Sequence, residues 1–202
     1  MTPIWTLCLV LGFSVAHASI TDTKYTAKTA KPVLTVLVLD RVGLDPTIRD
    51  IARAQAIRIL DNAGVELRWI DSNGFEDPHL PSTTKRFATI VIAKEAPSGW
   101  PTRHAMGFAP VRTGPYPRAY VFFSLIDAYV QHFTIEAKSA FAIILGHAIV
   151  HELGHLVIPG DAHGNGIMRH NWGFREWQEA QEGTFLFDPS QARVLRKTLQ
   201  SN

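Results

Sequence analysis

Cysteine is nearly absent: the 202 residues hold one, Cys8. A lone thiol builds no disulfide framework and no paired-cysteine metal site, so stability has to come from a packed core. The length, with a hydrophobic content of 46%, suffices for one. Charge of one sign is scarce as well. Twenty Lys and Arg stand against 18 Asp and Glu, a net +2, and the basic residues are scattered. No nucleic-acid partner is expected, because that would call for a basic block or stripe. The chain has no G-x-S-x-G elbow, no P-loop and no G-x-G-x-x-G fingerprint. It therefore lacks the usual signatures of serine-nucleophile and nucleotide chemistry.

The N-terminus does carry an apolar run, Ile4 to Ala16, followed by the small-x-small triplet Ala16-His17-Ala18. This predicts a signal peptide over 1–18, cleaved after Ala18, and a secreted or periplasmic destination. The run is short of the ~20 residues of a membrane span, and no span is expected in the mature chain. Cys8 falls inside the segment, so the mature chain is expected to carry no thiol. Residues 19–31 are polar and read as a linker or arm.

Val33 to Leu39 is a continuous β-branched and aliphatic run, the pattern of a strand covered on both faces. Asp45-Pro46 then offers a cap and a first-turn proline. Ile48, Ile51, Ala52, Ile59, Leu60 and Ala63 recur at helical spacing up to Gly64. Val65 to Ile70 alternates as a strand, which makes a right-handed strand–helix–strand crossover. Asp71 to Lys85 reads as loop and Phe87 to Ala93 as a third strand. Met106 to Val111 can be a strand only at an edge, because Pro110 lacks a donor. Arg118 to Phe123 reads as the fifth strand and Ser124 to Phe133 as a short helix. A long helix is predicted from Ile135 to about Ile158, capped by Thr134. Gly146 within it costs about 1 kcal/mol against alanine, a loss that a close approach to the sheet would explain. Pro159-Gly160 ends this helix. Beyond a loop to Trp172, helices are expected over Phe174 to Gln181 and after Asp188-Pro189, the latter turning Ala192, Leu195 and Leu199 inward.

The long helix carries the chemistry. Phe141 to Val150 is almost wholly apolar, and His151-Glu152-Leu153-Gly154-His155 follows directly. In H-E-x-x-H the two imidazoles lie about 40° apart around a helix and roughly 6 Å apart along it. Both can reach one ion at ~2.0–2.1 Å, with the carboxylate beside them as a base. Polar groups placed without partners at the end of a buried helix would cost several kcal/mol, so a shared Zn2+ is the economical reading. A catalytic zinc usually takes a third protein ligand and leaves the fourth position to water. His163 is the leading candidate, because Gly160 can turn the chain back beneath the metal. Glu176 and His170 compete with it.

These residues resemble the metzincin metallopeptidases, whose pattern is H-E-x-x-H-x-x-G-x-x-H followed by a methionine turn. His151, Glu152 and His155 match directly, Gly160 and His163 keep the G-x-x-H spacing, and Gly166-Ile167-Met168 is similar to the turn. Two additional residues separate His155 from Gly160, and Arg169 and His170 stand where some members place a tyrosine ligand. The resemblance covers roughly 33–170 and implies an α+β, zincin-like fold. Its parts would be a mixed five-stranded sheet with an antiparallel edge strand along the cleft, one backing helix, one active-site helix and a small, mostly helical C-terminal lobe. The corresponding subdomains would span 32–160 and 161–202. Met168 also reads as ordinary core filling.

The remaining histidines read more simply. His147, one turn before His151, is by default a core or cleft residue and otherwise a group that orients a ligand. His79, His104 and His132 have no ligand spacing, and Asp161 reads as a turn residue or a partner for a histidine ring. The expectation is a secreted zinc metalloendopeptidase acting on peptides or proteins, with His151, His155 and His163 on the metal and Glu152 as general base. The alternative is a non-catalytic secreted binding protein in which zinc ties the helix to the C-terminal lobe.

Overall fold

The computed structural model describes residues 30–72, 86–100, 105–110, 117–134, 137–160 and 162–201. The chain divides into two compact units, Met1–Ala30 and Lys31–Asn202. The expected signal peptide lies outside the described residues, as does the arm apart from Ala30 and Lys31. The second unit has the expected α+β architecture. In chain order it comprises β1 (Val33–Asp40), α1 (Pro46–Asn62), β2 (Glu66–Ser72), β3 (Phe87–Ala93), β4 (Gly107–Phe108) and β5 (Arg118–Phe122). The helices α2 (Phe123–Phe133), α3 (Ala137–Val157), α4 (Phe174–Glu182) and α5 (Pro189–Gln200) follow.

The sheet order is β2-β1-β3-β5-β4. Its first four strands run parallel, and β4 pairs antiparallel with β5 through Gly107–Val121 and Phe108–Tyr120. Alternation sorts the side chains. Leu34, Val36, Val38, Ala88, Ile90, Ile92, Ala119 and Val121 share the main core with α1 and α3. Leu37, Leu39, Phe87 and Val91 form a smaller cluster on the opposite face with Ile70 and Tyr120. The run of aliphatic and β-branched residues in β1 reflects this burial on both sides.

Local chemistry places the helix ends. The Asp45 carboxylate accepts from the Thr47 N–H at 2.8 Å, ahead of Pro46 at the first turn. Asp188 does the same for α5, accepting from the N–H groups of Ser190 at 2.7 Å and Gln191 at 2.9 Å. The C-terminal segment folds back on the rest of the unit. Arg58 on α1 donates to the Gly183 carbonyl at 2.8 Å, Arg196 on α5 to the Ala63 carbonyl at 2.6 Å, and Arg86 to the Leu199 carbonyl at 2.9 Å.

Several boundaries differ from the sequence pattern. Strand β2 continues to Ser72, and the remainder of the expected 71–85 loop lies mostly outside the described residues. The edge strand narrows from the expected Met106–Val111 to two residues, because Pro110 cannot extend the ladder; Val111 lies outside the described residues. Thr134 closes α2 instead of opening α3, with an extended backbone and its N–H on the Val130 carbonyl. Residues 135 and 136, the expected start of α3, lie outside the described residues. A single 3-10 turn, Gly166–Met168, stands within the stretch expected as loop.

Gly146 also has a different cause from the one expected. A methyl group there would lie 2.6 Å from the Ala52 carbonyl oxygen and 2.7 Å from Gln55 Cβ, so the close approach is to α1 and not to the sheet. In an open helix Gly→Ala stabilises by about 1 kcal/mol. Here overpacking reverses the sign: Gly146→Ala is expected to destabilise by ~1–3 kcal/mol, read as a lower denaturant midpoint at unchanged slope.

Candidate metal centre

Helix α3 is buried all round through its middle turns: Ala142, Ile144, Leu145, Ile149, Val150 and Leu153 are fully enclosed. Its last turns deliver the polar groups. The rings of His151 and His155 lie 4.8 Å apart, with their Nε2 atoms 3.1 Å from one another. Two nitrogens ~2.0–2.1 Å from one ion at the tetrahedral angle are about 3.3 Å apart, so the spacing is that of two ligands facing one point. The third ring arrives from beyond the bend. Gly160 takes a left-handed conformation (φ 79°), which admits glycine without strain, and Ala162 is buried just ahead of His163. His163 sits 4.6 Å from the His155 ring and 5.8 Å from the His151 ring. One nitrogen from each of the three residues lies within 4.8 Å of the others, a group able to hold a metal ion.

The 3-10 turn supports the trio from below. His151 Nδ1–H donates to the Ile167 carbonyl at 2.7 Å, which leaves the lone pair of the neutral ring on the Nε2 that faces His155. Burial pushes the His151 ring down to about 4, a fall the Ile167 bond opposes and the nearby His155, His163 and His170 rings deepen. At neutral pH the ring is thus in the unprotonated form a metal requires. Ile167 is itself held by its N–H on the Leu186 carbonyl at 2.8 Å. Met168 is fully buried against α3: a methyl group at Gly154 would lie 2.4 Å from its sulfur. Core filling and support of the ligand-bearing turn are therefore the same contact.

Glu152 is 5% exposed and lies against the edge strand, where a side chain at Gly107 would come within 2.4 Å of Oε1. Its Oε2 is buried without a hydrogen-bond partner, and burial pushes the carboxyl up to about 8. The carboxyl and all three rings line a cleft of about 1400 Å3 that is also bordered by Phe108, Tyr129 and Trp172.

The other sequence candidates separate. Glu176 belongs to the α4 cap: it accepts from the Gly173 N–H at 2.8 Å and pairs with Arg169. Burial alone would raise its carboxyl, but the Gly173 N–H and the Arg169 guanidinium hold it below the usual range. It is engaged away from the three rings. His170 is exposed, 4.7 Å from the His163 ring and outside the group of three. His147 is fully enclosed, with Nδ1–H donating to the Ile143 carbonyl at 2.7 Å and its ring stacked on Phe185, so the core reading describes it. His132 is an exposed residue at the cleft. His79, His104 and Asp161 lie outside the described residues.

Sequence patterning missed Gly107, Tyr129 and Trp172. Trp172 meets the His151 ring edge-on at 5.6 Å, and Tyr129 donates to the Gly173 carbonyl at 2.8 Å. A glycine on an edge strand was the one legible signal, since it permits close approach. The chain matches no protein-family model and no curated protein.

Two measurements follow. Zinc titration should show His163→Ala losing affinity by at least ~100-fold, while Glu176→Gln binds as the wild type does. The second concerns acid stability. Burial, aided by Arg58, lowers the His147 ring to about 4, against an opposing bond to the Ile143 carbonyl. Its folded pKa lies below the unfolded ~6.5. The unfolded chain therefore binds the additional proton, and stability is lost as pH falls from about 6.5 toward 4. With chelator present, His147→Leu should give a visibly flatter midpoint-versus-pH curve across that interval than the wild type.

Proposed function

We propose that the protein is a secreted, metzincin-like zinc metalloendopeptidase. The observation that carries this reading is the Glu152 carboxyl, buried and with one oxygen unpartnered, beside three converging imidazoles on the wall of an open cleft. Three nitrogen donors that leave room for a further ligand suit a catalytic Zn2+ held by His151, His155 and His163. When bound, such an ion polarises the scissile carbonyl and lowers the pKa of water from 15.7 toward ~7.

The chain's own groups supply the rest. Glu152 takes the proton of the attacking water and delivers it to the departing amine. Its position against Gly107 puts the base next to β4, the last strand of the sheet. An extended peptide laid along β4 would form main-chain hydrogen bonds there and bring its carbonyl to the base. Trp172 packs edge-on against the His151 ring and covers that side of it. A purely structural site would have no use for the unpartnered carboxyl, so the non-catalytic binding protein is the weaker reading.

Glu152→Gln preserves shape and removes the proton acceptor. It is expected to keep its zinc and to lose ~100- to 10,000-fold in kcat on an unstructured substrate such as casein. Chelator should abolish wild-type cleavage, and zinc should restore it. Undiminished activity in Glu152→Gln, or cleavage indifferent to chelator, would end the proposal.

A further inference from the structure

Between α4 and α5 the chain runs as an irregular strap, residues 183–188, with Phe185 and Phe187 buried and a helix at either end. Its residues do not border the metal cleft. Two separate paths nevertheless lead from it to the His151 ring.

The first path is a line of hydrogen bonds. The Leu186 carbonyl accepts the Ile167 N–H at 2.8 Å, and the Ile167 carbonyl in turn accepts His151 Nδ1–H at 2.7 Å. The strap lies so close to this turn that a methyl group at Gly166 would overlap the Leu186 carbonyl oxygen. The second path is a file of rings. Phe185 meets Trp172 edge-on at 4.9 Å, and Trp172 meets His151 edge-on at 5.6 Å. The His147 ring of α3 stacks on Phe185 at 5.9 Å, so the phenyl group sits between α3 and Trp172. Displacing the strap would therefore change both the acceptor of the His151 N–H and the ring packed beside it.

The strap is fastened from α1. Arg58 donates from Nη1 to the Gly183 carbonyl at 2.8 Å, and its Nε donates to Gln55 Oε1 at 3.0 Å. A planar guanidinium held at one nitrogen presents the next in a fixed direction, and a charged donor makes the stronger bond. Its Nη2 is buried without a partner, so the group gives up solvent to reach the strap.

We propose that residues 183–188 form the element that orients the His151 ring, and that Arg58 is thereby a positioning residue for the metal centre. The consequence, a higher affinity for zinc, rests on that centre. The orientation of the ring is a property of the chain itself and is measurable without the ion.

The test compares Arg58→Met with Arg196→Met in the full chain. Arg196 makes the same kind of bond, to the Ala63 carbonyl, which is not part of the strap, and so controls for a general loss of stability. In the metal-free protein at neutral pH, nitrogen-edited NMR follows the His151 Nδ1 proton, which its hydrogen bond moves downfield and protects from exchange. Arg58→Met should move that resonance upfield and quicken its exchange. Zinc affinity should fall ~2- to 30-fold, the range for a residue acting through a contiguous network. Arg196→Met should match the wild type in both. Should Arg58→Met fail to fold, Arg58→Lys, which keeps a charged donor but loses the fork, carries the same test. An unmoved proton or an unchanged zinc affinity in the Arg58 variant overturns the proposal, as does an equal change in Arg196→Met. If the wild type binds no zinc, a proton that moves only in the Arg58 variant supports the strap and overturns the metal centre alone.

Discussion

Desolvation at the polar end of α3 governs what surrounds it. Half-buried His151 and buried Glu152 stand where a mostly apolar helix emerges from the core, and one Glu152 oxygen has no hydrogen-bond partner there. An isolated polar group in such a place costs several kcal/mol. The fold answers one part of this directly, by giving the His151 N–H to the Ile167 carbonyl. It leaves the imidazole lone pairs converging and one carboxyl oxygen without a partner. A shared divalent cation would satisfy the lone pairs and favour the charged carboxylate against the burial that otherwise raises it. Because His163 comes from beyond the bend, the same cation would tie α3 to the segment that follows it, and its binding would be coupled to folding.

The precision of the site comes from how tightly α3 is held. Ala52 and Gln55 of α1 press on it at Gly146, Met168 and Phe187 at Gly154, and Gly107 of β4 meets Glu152. At each place the space for even one methyl group is missing. A helix confined on three sides presents its side chains with little freedom, as first-contact groups on rigid elements require.

Much of this was legible in the residues alone, and the reason is local physics. Asp45-Pro46 and Asp188-Pro189 mark helix starts because capping acts within a few residues, and α1 and α5 begin there. The largely apolar, β-branched character of β1 and β3 follows from burial on both faces, and those strands lie inside the sheet. What failed was equally physical. Thr134 has the composition of a helix N-cap but closes the preceding helix, because a cap signal does not say which neighbour it serves. Gly146 announces a close neighbour without naming it: the sheet was the expected one, and packing set α1 there instead.

The sequence by itself determined the helix, the spacing that sets His151, Glu152 and His155 on one end of it, and the glycine that lets the chain turn afterwards. Those depend on backbone periodicity and on the steric limits of single residues. Only the tertiary structure chose His163 over Glu176, by engaging Glu176 with Gly173 and Arg169 while bringing His163 to the other two rings. It alone set Trp172 against His151, Gly107 against Glu152 and His170 beside His163. Contacts between residues far apart in the chain are selected by the packing of the whole core, and no local pattern encodes that competition.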